Sequence, residues 1–200
     1  MAVPQTQLTL IARLRDPSDE VAWARFESSY RELVVRFSMR QGLQQSDAED
    51  VAQAVFQSLV GAMRGFELDA AKGRFRDYLF RAVRNEIHRL RARAARPAGL
   101  AAAGSLDALG GIADLAGEAE TRELFESEWM DQHFRTAFAE IRRSFSVESV
   151  AMFERLMRGD GVDTVAAAFA TTEQAVHKVK QRIRNRMQEL VASQIAEEET

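Results

Sequence analysis

From residue 8 to residue 94 the apolar side chains return every three or four positions, and no stretch alternates apolar with polar as a strand would. That period confines this part of the chain to helices packed on one another. It predicts helices over about Thr6–Leu14, from near Ser18 through Arg40, from Ser46 onward, and from about Arg74 to Arg93. The second would bury Val21, Trp23, Phe26, Tyr30, Leu33, Val34 and Phe37 and end at Gly42. Ser46 stands three residues before Glu49, the spacing of a capping box, and the helix behind it aligns Ala48, Val51, Val55, Leu59, Ala62 and Phe66. After a short polar loop over residues 67–73, the fourth helix would bury Phe75, Tyr78, Leu79, Val83, Ile87 and Leu90. Arg81, Arg84, His88 and Arg91 then share its other face.

Composition breaks at Ala94. Residues 94–117 are dominated by Ala and Gly, which bury too little area to offset the entropy of ordering, so a flexible tether is expected with at most a helical turn near Leu106. Helices are predicted beyond it near Glu120–Arg143, Val147–Met157, Asp163–Phe169 and Glu173–Ser193. The expectation is an all-α chain of two small helical domains, residues 1–94 and 119–193, with an Ala/Gly-rich flexible linker over 95–118 and an acidic tail over 194–200. The absence of Cys excludes disulfides and thiolate chemistry, and the longest apolar runs fall well short of the roughly 18 residues a membrane span needs. Residues 1–7 carry no secretion signal, so no membrane insertion and a cytoplasmic location are expected.

The net charge of −3 conceals a segregation. Residues 72–96 hold nine Lys/Arg against Asp77 and Glu86, and residues 175–190 hold five against Glu189. The rest of the chain is acidic. Two separate cationic helices suit two contacts with a polyanion, leaving acidic surface for a basic partner.

In the second domain, a short Ala-rich helix (163–169), a tight connection and an amphipathic helix follow the helix-turn-helix plan. Thr171 could cap the last helix with Gln174, while Val176, Val179, Ile183, Met187 and Leu190 form its buried stripe. The opposite side presents Glu173, Gln174, His177, Lys178, Lys180, Gln181, Arg182 and Arg184 to a major groove, with Thr172 just ahead of them. In the segment 72–96, Arg outnumbers Lys eight to one, as phosphate recognition favours, although its aromatics lie on the core stripe and are expected to pack. Asp47, Glu49 and Asp50 would be favoured in a helix's first turn whatever their function. His88, His133 and His177 are isolated, no catalytic or cofactor motif is present, and no cofactor is expected. An autonomous helix-turn-helix regulator and an enzyme acting on nucleic acid are the rival classes.

The ordered combination DAEDVAQAVF (Asp47–Phe56), KGRFRDYLFRAVRNEIHRLRAR (Lys72–Arg93) and AVHKVKQRIRNRMQEL (Ala175–Leu190) resembles bacterial RNA polymerase sigma factors of the extracytoplasmic-function type. The resemblance implies a region 2-like bundle and a region 4-like helix-turn-helix domain. By it, Asp47, Glu49, Asp50, Gln53 and Gln57 would dock on the β′ clamp of core RNA polymerase, with the β flap as a further contact. Lys72, Arg74, Arg76, Arg81, Arg84, Asn85, His88 and Arg91 would engage the minus-10 element and its melted non-template strand. Residues 172–184 would read minus-35 duplex, and the tether would run toward the RNA exit path. Ala54 stands where relatives commonly carry an acidic residue, and Tyr78 where many carry Trp. An anti-sigma factor, a Ser/Thr kinase or intramolecular packing would be the inhibitor.

Overall fold

In a computed structural model that describes residues 10–65, 75–94 and 115–199, every element is helical. In chain order these are α1 (Leu10–Arg13), α2 (Glu20–Arg40), α3 (Gln45–Ala62, followed by a 3-10 turn Met63–Gly65), α4 (Phe75–Ala94), α5 (Leu115–Ser144), α6 (Val147–Met157), α7 (Val162–Ala168) and α8 (Glu173–Glu199). Among the described residues no helix is long and apolar enough to cross a membrane. The chain divides into two compact units: one runs to Gln132 and includes 197–200, the other is His133–Ala196. The first part of α5, expected in the second domain, thus belongs to the first unit. Leu115–Glu118, expected in the linker, is already helical, and α8 continues through the expected tail to Glu199. The remaining linker residues, 95–114, and the 67–73 loop lie outside the described residues, as do Lys72 and Arg74.

Local chemistry sets the ends of α2. The Asp19 carboxylate accepts from the Ala22 amide at 3.0 Å and from the Arg13 guanidinium at 2.8 and 2.9 Å, closing α1 onto the start of α2. These bonds hold Asp19 below the usual carboxylate range, and Ser18 does the same for Asp16. At the other end Gly42, at φ +89°, donates to the Met39 carbonyl, and Leu43 donates to that of Ser38, so Gly42 ends the helix as its sequence position predicts. The predicted Ser46 capping box is not formed. Residue 44 occupies the N-cap without a side-chain bond, which places Ser46 inside the first turn, where its hydroxyl has no cap to make.

The first unit's core joins Phe26, Leu33, Val34 and Phe37 of α2, Val51, Val55, Phe56 and Leu59 of α3, and Phe75, Leu79, Phe80, Val83 and Ile87 of α4. Phe125 and Trp129 of α5 complete it. Phe125 lies 5.1 Å from the Phe37 ring and 5.3 Å from that of Phe80, and Trp129 stacks at 5.3 Å on Tyr30. Burying each such ring contributes about 1.5–3 kcal/mol. Several expected core positions differ. Val21 is 72% exposed and Ala62 is exposed, while Met63 is buried because the helix tightens to 3-10 geometry there. Tyr78 and Leu90 are half-buried at the margin, Trp23 packs against the core while its indole N–H donates to the Asp16 carbonyl, and Phe66 lies outside the described residues.

In the second unit Ile141, Val150 and Ile183 form one core cluster with Phe138, Phe145, Phe153, Met187 and Leu190, and Met152, Val165, Ala166 and Val176 form another. The turn between α7 and α8 is closed by Ala170, which donates to Ala167, and Thr171, which donates to Ala166. Ala170 is exposed and holds φ +48°, a left-handed conformation that costs an alanine about 1 kcal/mol. Ala170→Gly therefore raises the stability of this unit by about 0.5 kcal/mol and its midpoint by about 2–4 °C in a thermal melt. A loss of more than about 1 kcal/mol would contradict the strain. Thr172, not Thr171, caps α8, its hydroxyl accepting from the Ala175 amide at 3.2 Å; the Thr171 amide is already spent on the turn.

Candidate nucleic-acid interface

Three surfaces were singled out by the sequence, and the fold gives each a different state. On α8, Val176 and Ile183 are fully buried and Val179 packs beside them, so the opposite face of the helix turns outward. Thr172, Glu173, Gln174, His177, Lys178, Gln181 and Arg182 are all exposed. Lys178 and Arg182 are one turn apart, and Arg182 also lies 5.6 Å over the Phe145 ring, which steadies its guanidinium. Gln181 is tied to Asn185 at 2.8 Å. A helix presenting this row from its first three turns can enter a major groove amino end first.

On α4 the cations divide. Arg81, His88 and Arg91 are exposed. Arg81 Nε donates to the Asp77 carbonyl at 3.3 Å, and Arg91 donates to the Gln41 carbonyl, capping the end of α2. Partial desolvation, and then the neighbouring Arg84 and Arg91 guanidiniums, hold His88 below the usual imidazole range, so this face meets a polyanion at neutral pH through its arginines. Arg84, expected on the open face, and Arg76, which the resemblance assigns to the minus-10 element, are half-buried against α5. Arg76 pairs with Glu126 and Arg84 with Glu118, each at 2.7 Å, and Arg122 pairs back to Asp77 at 2.6 Å. Asn85 is half-buried.

The α5 residues Glu118, Arg122 and Glu126 repeat at i, i+4 and i+8, so they form one face, and their order runs antiparallel to Arg84, Asp77 and Arg76. The Arg122 guanidinium also lies 4.9 Å over Phe80. Sequence reasoning placed no function on these three residues. Their spacing was the available signal, hidden because α4's partner lies some 40 residues away beyond a stretch read as linker.

On α3, Asp50, Gln53 and Gln57 are exposed along one stripe, continued by Val60. Gln53, Gln57 and Val60 line an open groove of about 510 Å³ whose other wall is Glu20, Trp23, Ala24 and Glu27 of α2. The α2 wall was not anticipated: Trp23 was read only as core, yet it reaches this groove. Glu49 leaves the stripe and bonds Arg31 of α2 at 2.9 Å, while Asp47 is half-buried in the first turn. The groove thus combines apolar walls with a carboxylate rim, a surface suited to a basic helical partner.

Residues 28–96 match the family model of Sigma-70 region 2. The matched span takes in most of α2 and all of α3 and α4, and so the α3 wall of the groove and the α4 arginines, while the α2 wall of the groove precedes it; the chain carries a sigma-70 region 2 domain. No curated protein matches the chain.

Proposed function

We propose that this chain is a cytoplasmic sigma factor of the extracytoplasmic-function type, which joins core RNA polymerase, recognises a promoter and helps open it. The observation that carries the reading is the region 2 match over a helical bundle whose α3 lines a groove rimmed by the α2 carboxylates Glu20 and Glu27, with arginines on α4. Asp50, Gln53 and Gln57 would bear on the β′ clamp, with Asp47 beside them and Glu49 positioned through Arg31. Arg81, Asn85, His88 and Arg91 would face the minus-10 strand, joined by Arg76 and Arg84 once these part from α5, and by Lys72 and Arg74. The exposed row on α8 would read minus-35 duplex, and the β flap would hold the second unit.

The chemistry is binding alone. Holding an unstacked strand more tightly than the duplex offsets an unpairing cost of a few kcal/mol, and bond formation belongs to the polymerase. Core polymerase mixed with the full chain should yield a one-to-one complex on gel filtration, and Gln53→Arg/Gln57→Arg should weaken it at least tenfold by putting cations where a basic partner docks. A chain that elutes only as its own dimer, and binds palindromic duplex unaided, would instead be an autonomous regulator.

A further inference from the structure

We propose that the first half of α5 is a built-in competitor for the nucleic-acid face of α4: Glu118 and Glu126 sit on Arg84 and Arg76 as backbone phosphates would, so a bound strand must displace this helix. The inference rests on the reading of α4 as the DNA-facing helix. Both guanidiniums are partly buried and engaged by a carboxylate at 2.7 Å, a charge-assisted geometry that phosphate oxygens also satisfy. Nε of Arg76 and of Arg84 is buried with no hydrogen-bond partner, so in this arrangement neither fork is fully used. Docking is therefore led by Phe125 and Trp129, which are 0% and 2% exposed, while the electrostatic part is of a kind a strand can replace. Two arginines with an unsatisfied donor stand to gain hydrogen bonds from a phosphate backbone, and the released glutamates return to water. Arg81, which no acidic side chain of α5 engages, is placed to make first contact.

The geometry makes strand binding and α5 docking mutually exclusive at these two arginines, and the full chain tests this with a fluorescein-labelled 30-nucleotide oligo(dT) at 50 mM salt. Glu118→Gln/Glu126→Gln keeps the side-chain shapes and removes the competing charges. Glu120→Gln/Glu123→Gln makes the same change of net charge on the same helix, at residues that are exposed. The first variant should bind about fivefold more tightly than the natural chain, as loss of two part-exposed ion pairs implies, and the second should change by less than about twofold. Glu118→Gln alone should give an intermediate gain, which keeps the comparison available if the double variant loses helicity. In a Trp23→Phe background, saturating oligo(dT) should shift Trp129 emission to the red as the helix leaves. Equal gains in the two double variants, or strand binding with Trp129 emission unchanged, would overturn the competition and leave the polymerase-dependent reading standing. Failure of every variant to bind the strand would overturn the competition together with the assignment of α4.

Discussion

Phe125→Ala lowers the unfolding free energy of the first unit by about 3–5 kcal/mol. Phe125 is fully buried, with the rings of Phe37, Phe80 and Trp129 at 5.1, 5.3 and 5.9 Å, so truncation leaves a cavity that three rigid aromatics cannot close. The loss is a large fraction of the 5–15 kcal/mol that holds a typical domain together. Urea unfolding followed by helical circular dichroism should move to a lower midpoint, or split so that a first transition reports α5 leaving the bundle. Glu123→Ala, on the exposed side of the same turn, should stay within about 0.5 kcal/mol of the natural chain. A cost below about 1 kcal/mol at Phe125 would mean that α5 does not close this core.

Lys178→Ala/Arg182→Ala should flatten the salt dependence of duplex binding. Each phosphate contact contributes about 0.9 to the slope of log K against log salt on B-form DNA, so losing two reduces the slope by about 1.8. If the curves converge near 1 M salt, affinity at 0.1 M falls about sixtyfold. The stability of the second unit should hardly change, because both side chains are exposed and its cores are built from Ile141, Val150, Val165, Val176 and Ile183. Fluorescence anisotropy with a 40-base-pair duplex across a salt series makes the measurement. An unchanged slope would remove these residues from the interface, and a parallel loss of helicity would assign them to the fold.

The helices and their type were legible in the sequence because the spacing of Phe26, Leu33 and Phe37, or of Val176 and Ile183, records a buried stripe directly. What a stripe packs against is not recorded. Phe80 lies off the main stripe of α4, and it is buried between Phe37 of α2 and Phe125 of α5. Val21 stands one position before the buried stripe that Ala22 and Phe26 begin, and so is 72% exposed. The Ala-rich run before Leu115 concealed where α5 begins, since alanine favours a helix and a poorly packed tether alike. The candidate surfaces followed the same division. The exposed row on α8 could be read from a single helix, and the Asp50, Gln53 and Gln57 stripe likewise. The pairing of Arg76 and Arg84 with α5 depends on a partner helix some 40 residues away, which no local pattern specifies. The caps at residues 44 and 172 were missed because each helix start admits neighbouring registers, and the turn's backbone bonds decide between them.

The most direct measurement is transcription in vitro with core polymerase, the full chain and a pool of genomic promoter fragments. The account predicts that added chain directs initiation at a discrete set of start sites silent with core enzyme alone, and that Gln53→Arg/Gln57→Arg abolishes most of that signal. No new start site at any chain concentration, with the core enzyme active on a sigma-independent template, would contradict it.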